Sequence, residues 1–128
     1  MAEPATPEAR ALERGALLAN VEEAATAVLV LTEGLEEAEF LGSRLTRRAV
    51  RGHLDVITAS LAALEKTLRG EMPELEWDGW AVAARRMVAG GDEGDAALWF
   101  AVVSLTPATL LWLRIHRGNK PQLFSFTA

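Results

Sequence analysis

Histidine 53 and the arginines before it are where this chain's residue types and spacing first offer chemistry. His53 follows Arg48 after four intervening residues and Arg47 after five. An imidazole titrating near neutral pH can move a proton on a ribose hydroxyl, and a neighbouring guanidinium can hold phosphate charge. Arg44 and Arg51 extend the cluster into a basic patch, whose plainer reading is a solvated helix face. His116 stands between Arg114 and Arg117 and reads as a favourable cation at a helix C-terminus. Arg85 and Arg86, with Trp80 just upstream, would line a ligand cleft if the helices around them left one open. No cofactor is expected: Gly90-Gly91 is followed by the acids Asp92 and Glu93, which repel phosphate. No metal is expected either, because neither histidine has a second ligand at metal spacing and there are no cysteines.

These side chains need elements to position them, and the hydrophobic periodicity predicts helices throughout. Thr6-Pro7-Glu8 is a helix start, with the threonine as N-cap, proline in the first turn and an acid near the positive dipole end. The first helix is expected over about 7–33, striped by Leu17, Val21, Ala24, Val28 and Leu31, widened by Leu18, Ala25 and Leu29, and closed by Gly34. A short acidic turn over 35–41 ends on Phe40 and Leu41. Ser43 caps a second long helix reaching about Gly70. Its Val50, Leu54, Ile57, Leu61, Leu64 and Leu68 alternate four and three, a seam suited equally to a paired helix and to a homodimer contact. A loop over 77–80 with Asp78 as N-cap, a helix over about 79–89, another opened by Asp92 or Asp95, and a last one from Thr106-Pro107 to about 116 complete the expected order. Trp80 is the tryptophan expected to be partly exposed among four that otherwise read as core. Residues 117–128 are expected to form a tail, with Phe124 and Phe126 alternating so that it lies extended across the domain or a partner.

The fold class is therefore all-α, an up-and-down bundle of four to five helices in one domain over 1–128, with a helical core over 7–116. With 128 residues, half of them apolar, the chain is long enough for a core and too apolar for general disorder. Residues 1–40 carry nine acids against two bases and the remainder nine against eleven, so only a local patch is basic. A general nucleic-acid binder would be basic over a whole face. No run is expected to reach the roughly 18 uncharged apolar residues that a membrane span needs, and Met1-Ala2-Glu3-Pro4 lacks signal-peptide character, so a cytoplasmic protein without a membrane partner is expected.

Several residues together resemble the HepT-like toxins of the HEPN superfamily, small all-α ribonucleases paired with a nucleotidyltransferase antitoxin. The similar positions are Phe40 at the end of the acidic turn, the stretch from Ala49 to Ile57, Pro73 four residues before Trp77, and Trp99 eight residues before Pro107. The resemblance covers roughly residues 17–113. It implies a HEPN-like bundle, a homodimer, a nucleotidyltransferase-fold partner and RNA as the family's substrate. The family's catalytic letters are replaced. Counted from Trp77, its arginine falls on Ala84, the adjacent asparagine on Arg85, its histidine on Ala89 and the tyrosine that its antitoxin modifies with AMP on Gly91, and its glutamate falls on Ala59. A shift of one or two residues would put Arg85 or Arg86 in the arginine's place, but none supplies a histidine. Alanine cannot transfer the proton, and the chain contains no tyrosine.

Three functions are expected in descending order. The first is a HepT-like pseudoenzyme that acts by binding, as a homodimer and as partner of a nucleotidyltransferase-type antitoxin, with Arg44, Arg51, Trp80, Arg85 and Arg86 as candidate binding residues. The second is an active, metal-independent endoribonuclease with a relocated site built from His53 with Arg47 or Arg48. The third is a helical small-molecule or protein-interaction module.

Overall fold

The computed structural model describes residues 6–125. Six α-helices occur among them: α1 (Pro7–Thr32), α2 (Glu37–Gly42), α3 (Arg44–Leu68), α4 (Trp77–Ala89), α5 (Gly91–Phe100) and α6 (Thr106–Asn119). Short 3-10 turns lie at Pro73–Leu75 and Pro121–Leu123, and no strand occurs among the described residues. The chain is an all-α helical bundle, as the periodicity requires.

The long elements alternate in direction. The start of α1 shares a cleft with Ala63, Leu64 and Thr67 at the end of α3. Arg69 at the end of α3 reaches Asp78 at the start of α4, while Arg51 reaches the carbonyl of Met87 at its end. Gly79 meets Leu105 and Gly94 meets the Arg86 carbonyl, so α4 and the following helix are antiparallel too. Gly94 is required there: a β-carbon would stand 3.0 Å from that backbone oxygen, which cannot move aside as a side chain can.

Local chemistry explains most boundaries. Thr6 accepts the N–H of Ala9, and Ser43 accepts that of Thr46, each satisfying an amide that the first helical turn leaves without a partner. Glu36 and Glu39 form a reciprocal capping box at the start of the six-residue α2. Gly34, at φ 77°, takes the left-handed conformation that ends α1.

Three boundaries depart from expectation. Trp77 and Asp78 are helical, and the residue before α4 is Glu76 in the left-handed region at φ 63°, without a side-chain cap bond. Asp78 is thus not the N-cap; its carboxylate is engaged by Arg69 at 2.7 Å. That guanidinium holds the Asp78 carboxyl below its ordinary value, and Asp78 in turn raises Arg69. Gly90 precedes α5, so neither Asp92 nor Asp95 opens it. Thr106-Pro107 does not start a fresh helix. Helix runs without a break from Gly91 to Asn119, through a π-helical turn at Ala101–Leu105. Pro107 has no N–H for the carbonyl four residues back and its ring crowds that turn. The wider turn absorbs the conflict: the Thr106 amide and hydroxyl both donate to the Ala101 carbonyl, the hydroxyl at 2.7 Å.

The core gathers one face of every long helix. All six seam residues of α3 are buried, with Val50, Leu54 and Ile57 fully so, against Leu18, Val21, Ala25 and Val28 of α1. The seam is therefore covered within the chain and offers no contact to a second copy. On α1 the buried face is shifted from the expected stripe, since Leu31 is 40 % exposed and Thr32 takes its place. Trp80 is 1 % exposed, the reverse of its expected position. Its indole N–H donates to Thr109 Oγ1 at 2.9 Å, and Thr109 in turn donates to the Leu75 carbonyl, tying α4, α6 and the 3-10 turn together. Trp77 donates to the Met72 carbonyl, and Phe40 stacks at 5.4 Å against Trp99.

The tail is not extended. Pro121–Leu123 forms a 3-10 turn, Phe124 has helical torsions, and Arg14 donates to the carbonyls of Gln122 and Leu123. Arg117 lies over the Phe124 ring and pairs with Glu22 on α1. Phe126 and Thr127, part of the expected alternation, lie outside the described residues.

Candidate functional site

The basic patch forms at the first two turns of α3, positioned by the Ser43 cap and by the burial of Val50 and Leu54 beneath it. Arg44, Arg47, Arg48 and Arg51 line an open depression of about 510 Å³ with Leu41 and Leu98. Two of the four arginines are committed to the fold. Arg47 donates to the Leu41 carbonyl at 3.1 Å and to Asp95 of α5 at 2.7 Å. Arg51 pairs with Asp55 one turn on and donates to the Met87 carbonyl at the end of α4, where the helix dipole favours a cation. Both guanidiniums are about one-third exposed, so each pair contributes at most about 1 kcal/mol. Arg44 and Arg48 are exposed and have no acid partner among the described residues. The depression therefore presents two uncommitted cations beside two partly neutralised ones, a surface for an anionic or acidic partner.

His53 is half-buried on α3 and makes no hydrogen bond among the described residues. On a helix, positions five and six residues earlier point about 120–140° away from it. Arg48 and Arg47 consequently do not share its face, and Arg47 is turned toward Asp95. No arginine–histidine pair is assembled on α3 within this chain.

The second expected cluster is divided. A groove of about 590 Å³ does run between α4 and α5, and Arg86 lines it with Asp78, Glu93 and Phe100. Trp80 faces away from that groove into the core, and Arg85 is exposed outside it. Of the positions on which the expected HepT-like letters would fall, Ala84, Arg85 and Ala89 lie on α4, Gly91 begins α5 and Ala59 lies on α3, all but Ala84 exposed.

His116 proves to be neither exposed nor free. It is 7 % exposed, its Nε2 lies 2.7 Å from Glu74 Oε1, its ring packs on Trp112, and its Nδ1 has no hydrogen-bond partner. The link fastens the 3-10 turn at Pro73–Leu75 to α6. The backbone N–H of Glu74, and then the His116 ring, hold the Glu74 carboxyl below its ordinary value of 4.5. Glu74 thus contributes stability that is present above that ordinary value and lost as pH falls through the lower native one. The difference in melting temperature between wild type and Glu74→Gln is expected to be full at neutral pH and to vanish under acid, as read by melts across the carboxylate titration range. Sequence spacing gave no sign of this pair, because its members lie 42 residues apart.

No group of three histidine, cysteine or carboxylate side chains placed to hold a metal occurs among the described residues. Two helices, Pro7–Thr32 and Gly91–Asn119, are long and apolar enough to cross a membrane by length and composition. The expectation that no such stretch exists is corrected for the second: residues 96–113 carry no charge. Half of that helix's most apolar window is buried in the bundle, so its composition also serves the core. No family model matches the chain, and no curated protein and no solved structure matches it either.

Proposed function

We propose that the protein acts by binding, as a HepT-like helical homodimer that has lost ribonuclease catalysis. In this reading its partner is a cytoplasmic nucleotidyltransferase-fold protein with an acidic contact surface, held by the Arg44 to Arg51 face of α3. The observation that carries the reading is the basic depression on α3, where Arg44 and Arg48 are exposed and unpaired among the described residues and no histidine is among the lining residues. The resemblance to HepT-like toxins supplies the partner class, and the replacement of its arginine, histidine, tyrosine and glutamate supplies the loss of catalysis.

The test has two arms. Tagged wild-type protein expressed in its native cell is expected to retain a nucleotidyltransferase-fold protein, and the Arg44→Glu/Arg48→Glu variant to lose it. Recovery of no such protein by the wild type overturns the partner assignment. In the second arm, purified wild type and His53→Ala are both expected to leave RNA intact, with metal or with chelator. Cleavage by the wild type that disappears in His53→Ala would replace the binding reading with an enzyme working from α3.

A further inference from the structure

The helix from Gly91 to Asn119 keeps a second apolar face that the bundle does not use. Ala96, Phe100, Val103, Leu111 and Ile115 lie along it on the solvent side, with Phe100 52 % and Leu111 56 % exposed. Residues 96–113 bring no charge to interrupt the strip. A monomer rarely leaves a strip of this kind uncovered.

The ends of the strip indicate what covers it. Asp92 and Glu93 stand at its beginning and Arg114 at its end, all exposed, and none has an ion-pair partner among the described residues. The midpoint of Glu93 and Arg114 falls between Val103 and Ser104, inside the π-helical turn. A second copy laid antiparallel about that midpoint sets Glu93 opposite Arg114, Ala96 opposite Leu111 and Phe100 opposite Pro107, and does so twice. Shape allows it: Pro107 lines an open groove of about 540 Å³ with Val30, Leu35 and Val103, and Phe100, half exposed at the rim of the α4–α5 groove, is the large apolar side chain that the two-fold brings to it. A ridge that meets its own groove under a two-fold rotation is the condition for a closed isologous pair.

We propose that this face of α5 and α6 is a self-association surface whose occupant is a second copy of the chain, packed antiparallel with its centre at Val103 and Ser104. The inference deepens the homodimer in the reading above by naming its surface, and it is independent of the α3 face assigned to the other partner. It also accounts for the helix's apolar composition without a bilayer: one face is core and the other is subunit contact.

The experiment is the solution mass of the purified full chain across a concentration series, by sedimentation or light scattering. Wild type is expected at twice the 13.8 kDa chain mass. Phe100→Glu and Leu111→Glu, both at exposed positions, are expected at the single-chain mass with unchanged helical circular dichroism. Glu93→Arg and Arg114→Glu each place like charges together at two symmetric points and are expected to weaken the dimer about tenfold or more, and their combination to restore it. A wild type that is monomeric at every concentration overturns the proposal. So do a dimeric Phe100→Glu, or a folded double charge swap that stays as weak as either single. Wild-type monomer that pellets with phosphatidylcholine–phosphatidylglycerol vesicles, and ceases to in Phe100→Glu, would give the face to a bilayer instead. Partner capture scored in the same variants separates the two readings. A monomeric Phe100→Glu that still retains the nucleotidyltransferase-fold protein leaves the α3 assignment standing, and a wild-type dimer that retains none defeats that assignment alone.

Discussion

Trp80→Ala is expected to destabilise the protein by about 3–5 kcal/mol, lowering its melting temperature by roughly 10–20 °C. The indole is almost wholly enclosed, and its removal empties the space between α4 and α6 that no neighbouring side chain is free to fill. It also withdraws the N–H that Thr109 accepts, so the polar link from α4 through Thr109 to the Leu75 carbonyl loses its first member. Thr109→Val separates the two contributions. That variant keeps the packing but leaves the indole N–H buried without an acceptor, at a cost of about 1–3 kcal/mol. Arg85→Ala, at an exposed position in the same helix, is expected to stay within about 0.5 kcal/mol of wild type. Thermal or denaturant melts of the three variants decide the matter. A Trp80→Ala protein that melts with the wild type would mean the ring is not core, and would return it to the role of a candidate binding residue.

Ile57→Ala is the second large effect, at about 2–5 kcal/mol. Ile57 is fully buried at the centre of the α3 seam, facing α1. The same seven-residue spacing is compatible with an intersubunit zipper, and the two arrangements respond differently to the variant. Loss of an intrachain contact lowers the melting temperature equally at every protein concentration. Loss of an intersubunit contact instead leaves a folded monomer and a concentration-dependent transition. The burial of all six seam residues predicts the first behaviour, with the dimer unaffected wherever the variant remains folded. A folded, monomeric Ile57→Ala would move the self-association surface from α5 and α6 to α3.

Several features of the chain were legible because they depend on neighbours in sequence. Thr6 and Ser43 cap helices through side chains three residues from the amide they satisfy, and Gly34 ends α1 by a torsion no other residue adopts as easily. The α3 seam was legible because a single buried face imposes a strict recurrence, whatever packs against it. The stripe of α1 was blurred, since a helix with two packing neighbours buries a wide arc and alanine marks its borders weakly. Thr106-Pro107 misled for a physical reason: the same dipeptide serves as cap and first turn or as the cause of a π-helical turn. The choice depends on whether the preceding turn can widen.

The candidate site was legible only in part. Four arginines on consecutive turns of a capped helix had to form one basic surface, and they do. Which of them remain available was set by Asp95 on α5 and by carbonyls at the end of α4 and in α2, groups 6 to 48 residues distant. Trp80 reads as partly exposed and His116 as a cation at a helix C-terminus, because aromatic and imidazole groups are amphipathic and periodicity alone does not place them. Thr109 and Glu74, the partners that draw them inward, lie 29 and 42 residues away.

The sequence by itself determined the all-α class, the caps of α1 and α3, the strict apolar recurrence of the α3 seam and the complete lack of tyrosine. Each of these follows from residue type or from spacing within a few turns. Only the tertiary structure decided that helix continues through Pro107 and that α3 is already partnered by α1. It alone decided that Arg47 and Arg51 serve the fold, and that the outer face of the last long helix is left bare. Those outcomes depend on which surfaces meet, and a helix's own periodicity records how much of it is buried without saying against what.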